Sequence, residues 1–124
     1  MGNLLGLTAT IFAASVFTTS AASASADNAI FVLKLSGDRG WSVECEIERH
    51  EDDPLTIRKK GRGDIETIST RGVSGGSCSY AAPGNGELKI IFSNDGQPDQ
   101  CPFEVEYDQC VGRFSNGSKG SFDF

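Results

Sequence analysis

Between residues 41 and 48 apolar and polar side chains alternate without a break. Trp41, Val43, Cys45 and Ile47 fall on one parity, and Ser42, Glu44, Glu46 and Glu48 on the other. A period of two is the spacing of a strand with one buried face. Residues 30–35 form a compact apolar run, Leu55 and Ile57 alternate with Thr56 and Arg58, and residues 65–70 are rich in β-branched side chains. Cys78, Tyr80 and Ala82 share a face, as do Leu88, Ile90 and Phe92, then Phe103, Val105 and Tyr107. Phe122 and Phe124 mark a terminal strand.

Turn chemistry separates these runs. Ser36-Gly37-Asp38-Arg39-Gly40 is expected to close a hairpin between its flanking strands. Gly61-Arg62-Gly63-Asp64 is expected to form a hairpin tip, and Pro83-Gly84-Asn85-Gly86 is the strongest turn signal in the chain. The Gly/Ser stretch ahead of Cys78 reads as a loop, and Asn94-Asp95-Gly96 breaks the chain again. Seven or eight short strands at this spacing predict an all-β fold, a small disulfide-stapled antiparallel β-sandwich or small barrel.

Residues 1–26 carry no charged side chain. An apolar centre from Leu4 to Phe17 decays into small residues ending Ala24-Ser25-Ala26, the pattern of a cleavable signal peptide cut after Ala26. The segment is too short and too rich in Ser and Thr for a membrane span. Gly6 replaces the Ser or Thr a myristoylation motif needs. The missing basic n-region favours a eukaryotic secretory route; in a bacterium the destination would be the periplasm. Residues 27–124 then form one domain, expected outside the cell.

All 11 basic and 17 acidic side chains lie beyond residue 26, for a net charge of −6. That balance makes neither nucleic acid nor anionic lipid a default partner. Cys45, Cys78, Cys101 and Cys110 are even in number and all in the exported part, which reads as two disulfides. Three pairings are open; Cys45–Cys78 with Cys101–Cys110 is expected, because the second pair is close enough to staple a strand to the next turn. The spacings fail for zinc, and no metal or cofactor is expected.

His50 is the only histidine, so any histidine-assisted nucleophile must use it, and it sits in a polar loop beside Glu51, Asp52 and Asp53. A two-carboxylate hydrolase remains arithmetically open, although a domain this small offers little cleft. The glycines at 61, 63, 72, 75 and 76 match no phosphate-binding spacing.

Surface features are more telling. Glu44, Glu46 and Glu48 line the outer face of one strand, and Glu104, Glu106 and Asp108 another. Opposed like charges destabilise a sheet, so these strands are not expected to be neighbours; Arg58 and Lys60 are the expected partners of the first stripe. Arg58, Lys59, Lys60 and Arg62 form a basic patch suited to an anionic polymer, or to guarding an exposed sheet edge. Arg62-Gly63-Asp64 is the tripeptide integrin ligands display on loops, although three residues recur by chance and the turn accounts for the glycines. Asn116-Gly117-Ser118 is an N-glycosylation sequon.

Cys101-Pro102-Phe103, Tyr107-Asp108, Phe114-Ser115-Asn116 and Phe122-Asp123-Phe124 together resemble the Streptomyces subtilisin inhibitor family. The resemblance covers the last quarter of the chain. Cys110 precedes the Phe-Ser-Asn run instead of following it, and the cysteine spacing differs throughout. It implies a secreted serine protease inhibitor whose loop offers Phe103 to chymotrypsin- or subtilisin-like enzymes, pre-ordered by Cys101 and Pro102. The leading expectation is a secreted, non-enzymatic binding or effector-like module for an extracellular protein or glycan. The inhibitor is the alternative, and a small secreted hydrolase the further one.

Overall fold

The computed structural model describes residues 28–124; the expected signal peptide lies outside the described residues. Nine strands appear among the described residues: β1 Ile30–Gly37, β2 Ser42–Arg49, β3 Leu55–Lys60, β4 Glu66–Arg71, β5 Val73–Ala81, β6 Glu87–Asn94, β7 Glu104–Glu106, β8 Gln109–Ser115 and β9 Lys119–Asp123. They build two antiparallel sheets, ordered β4-β1-β6-β8-β7 and β3-β2-β5-β9. The architecture is the expected sandwich, and neither sheet closes into a barrel.

The alternating runs bury the parity the sequence assigns. Phe31, Leu33 and Leu35 of β1 and Leu88, Ile90 and Phe92 of β6 face Val43, Cys45 and Ile47 of β2. Aromatic rings fill the space toward β9: Phe31 meets Phe124 at 4.7 Å between ring centroids, and Tyr80 stacks on Phe114 at 3.9 Å. Removing so much apolar surface from water is the main drive to fold.

Two expected hairpins are absent. β1 pairs with β4 and β6, while β2 belongs to the other sheet, so residues 38–41 cross between layers. The loop after β3 likewise crosses to β4 instead of closing a hairpin. Turn residues reverse the chain but do not specify the sheet in which it resumes; here the two packed layers supply nearer places for both apolar faces. The crossing at Gly37 is tight: its φ is +139°, and the Asp38 N–H donates to the Glu87 carbonyl at 3.0 Å.

Two further corrections concern strands. The Gly/Ser stretch at residues 73–77 is the first half of β5, where Gly76 and Phe124 exchange backbone hydrogen bonds of 3.1 Å in both directions. β8 has no counterpart in the sequence reading. It carries Gly112 at the point where Phe103 and Phe114 converge, and a Cβ there would stand 2.9 Å from both rings.

Both expected disulfides are present. Cys45 and Cys78 are buried register partners on β2 and β5, and Cys101–Cys110 ties the loop before β7 to the first residues of β8. Two bridges of this kind fit an oxidising, extracellular-type environment. No helix among the described residues is long and apolar enough to cross a membrane.

Candidate functional site

The five-stranded sheet has one strand more than its partner, and β7 is one of its two edge strands. Val105 pairs with Cys110 and so shares its inward parity, yet Val105 is 69% exposed. Its side chain is left largely open to water. The expected buried run Phe103, Val105, Tyr107 is therefore corrected: Phe103 packs on the core, while Val105 and Tyr107 face water.

β7 and β8 form a hairpin around Tyr107 and Asp108, because Glu106 and Gln109 are direct partners. Both turn residues have positive φ, +49° for Tyr107 and +61° for Asp108. A two-residue type I′ hairpin needs that geometry at both positions, and sequences normally supply Asn or Gly there. Tyrosine carries a steric penalty in this region of backbone space. Its side chain is also wholly exposed, at 100%.

The hairpin is held firmly at its base. Arg113 of β8 donates from Nη1 to Glu87 Oε1 and from Nη2 to Glu106 Oε2, each at 3.3 Å, bridging β6, β8 and β7. The hydrogen bond to Glu87, then that to Glu106, raises the guanidinium pKa further above its ordinary value. The Cys101–Cys110 bridge adds a covalent clamp. Glu104 and Asp108 have no ion-pair partner among the described residues, so the tip is acidic as well as aromatic.

Beside the hairpin, the outer face of the larger sheet forms an open groove of about 700 Å³. Its lining includes the apolar Val32 and Ile91, the acidic Asp95, Asp99 and Asp108, and the basic Lys34. The loop after β6 is ordered by Asn94, which is 9% exposed. Its Oδ1 accepts from the Gly96 N–H at 3.1 Å, and its Nδ2 donates to Gln100 Oε1 at 3.3 Å. Acidic side chains outnumber basic ones in this lining.

The residues singled out in the sequence do not converge. Phe103 is half-buried, with its ring 4.6 Å from Phe122 and 5.6 Å from Phe114 between centroids. Pro102 and Cys101 beside it are half-buried too. The basic patch is partly spent on internal pairs: Arg58 Nε lies 3.0 Å from Glu44 Oε2, and Lys59 Nζ 3.9 Å from Glu66 Oε2. β3 is an edge strand, so lysines there also guard against unwanted pairing. The two acidic stripes lie on strands of different sheets. His50 is exposed, and Asn116 is exposed in the turn between β8 and β9 with φ +53°. The Ser118 hydroxyl of the sequon donates to the Ser115 carbonyl at 2.7 Å. Among the described residues no three His, Cys, Asp or Glu side chains are grouped to hold a metal ion.

The exposed Tyr107 escapes the sequence reading because Tyr-Asp is not a familiar hairpin turn. The nine-residue separation of Cys101 and Cys110 was the available signal, since so short a bridge requires the chain to reverse between them. The chain matches no protein-family model, and neither curated proteins nor solved structures give a significant match. The likeness to the subtilisin inhibitor family therefore rests on the quoted residues alone.

Proposed function

We propose that the chain is a small secreted, non-enzymatic binding module that grips an extracellular protein with the β7–β8 hairpin. The observation that carries this reading is Tyr107, wholly exposed and in left-handed backbone on a disulfide-clamped turn. Backbone strain at an exposed aromatic is retained where the residue has work to do. Tyrosine also supplies large contact area with few rotors, which is why it recurs as an interface anchor. Glu104, Asp108 and the acidic groove call for a partner with a basic surface, which disfavours sulfated glycans.

The inhibitor reading requires Phe103 to leave its place against Phe122 and Phe114. No observation at His50 favours a hydrolase. A photo-crosslinking phenylalanine analogue at position 107 tests the proposal: it should give a discrete adduct with one extracellular protein. Equal adducts from the analogue at Thr67, on the opposite edge strand of the same sheet, would sink it.

A further inference from the structure

The connection from β3 to β4 is anchored at its base, and at its tip a Cβ on Gly63 would stand 3.4 Å from Nε of the neighbouring Arg39. Gly61 donates its N–H to the Trp41 carbonyl at 2.8 Å and accepts from the Gly40 N–H at 3.2 Å. Its α-carbon lies flat on the buried Trp41 indole, where a Cβ would overlap the ring. Beyond this anchor Arg62, Gly63, Asp64 and Ile65 are all exposed, Ile65 at 72%. Gly63 bends the chain with φ +93°.

The basic run divides into paired and unpaired charges, with Lys60 among the unpaired. Arg58 and Lys59 both hold a carboxylate, whereas neither Arg62 nor Asp64 makes an ion pair or side-chain hydrogen bond among the described residues. Surface folding has therefore satisfied one half of the basic run and left an unpaired Arg and Asp on either side of a glycine bend. An exposed isoleucine follows them.

We propose that Arg62-Gly63-Asp64 is an adhesive recognition loop for a receptor surface that carries a bound divalent cation. The Asp64 carboxylate completes the oxygen shell that a hard cation prefers. The Arg62 guanidinium enters an acidic cleft as a two-pronged donor. Gly63 lets the receptor backbone approach closely, and Ile65 packs on an apolar wall. This site shares no residue with the Tyr107 hairpin and does not depend on it.

The test uses the disulfide-intact protein against a panel of Arg-Gly-Asp-binding integrin ectodomains, which carry such a cation. Saturable binding is expected with at least one of them in Mn²⁺, abolished by EDTA. Asp64→Glu, one methylene longer, should abolish it, and Arg62→Ala should weaken it by about tenfold or more, the loss of one charge-assisted contact. Lys119→Ala, at an exposed position on β9 of the smaller sheet, should leave it unchanged. Absence of binding across the panel, or binding that survives EDTA or Asp64→Glu, overturns the proposal. All three side chains are exposed, so unchanged circular dichroism will show that the variants remain folded.

Discussion

Cys45 and Cys78 stand directly opposite each other across the β2–β5 ladder, with their Cα atoms 4.0 Å apart. Their disulfide joins residues that strand pairing has already placed side by side, and it spans 33 positions of sequence against 9 for Cys101–Cys110. Chain-entropy reasoning gives about 4 kcal/mol for the longer loop and about 3 kcal/mol for the shorter. Paired Cys→Ala replacements followed by urea denaturation should show the larger loss for Cys45 and Cys78. The opposite ranking would mean that the hairpin clamp, not the central ladder, dominates stability.

Tyr107→Asn relieves left-handed backbone at a position where asparagine is tolerated. The variant should gain up to about 1 kcal/mol in thermal or chemical denaturation. The same change should abolish the photo-crosslink-defined interaction at the hairpin tip. Unchanged binding in a stabilised variant would remove Tyr107 from the interface.

Phe103→Ala separates packing from protease recognition. The half-buried ring lies among Phe114 and Phe122, so its removal should cost about 1–3 kcal/mol of stability. A Phe103→Ala protein that keeps its melting temperature, yet loses inhibition of a subtilisin-like protease, would restore the inhibitory-loop reading.

Gly61→Ala drives a methyl group into the Trp41 indole. Overpacking of this kind should destabilise the domain by about 1–3 kcal/mol. Trp41 is the only tryptophan in the chain, so its fluorescence emission reports the disturbance directly. Unaltered emission and stability would place the loop off the ring.

The alternation at residues 41–48 made β2 readable, because one face of each central strand meets an apolar layer and the other meets water. The same logic failed at Val105 and Tyr107. Their alternation is as regular, but burial depends on a strand in the opposite layer, and the smaller sheet has only four. Local patterning carries no information about the opposite layer. Turn residues at 36–40 and 61–64 were equally visible, yet their chemistry encodes reversal and not destination. β8 stayed hidden because Gly112 interrupts its periodicity to make room for the Phe103 and Phe114 rings. Both cysteine pairs were legible from spacing and parity, since those constraints are local to their strands.

The crossing loops and the hairpin tip lie at diagonally opposite corners of the larger sheet. Glu66 is level with Leu35 at one end of β1, on one edge strand, and Tyr107 projects past Gln109 at the other end, on the far edge. Four strand spacings, roughly 19 Å, and about four residues of rise, roughly 13 Å, separate them. A molecule occupied at one corner keeps the other open, and the stiff sandwich between fixes the span. With both proposed contacts made, such a body would act as a bridge: a partner captured at one corner would be presented to the second at high effective concentration, with avidity set by a rigid spacer instead of a slack linker.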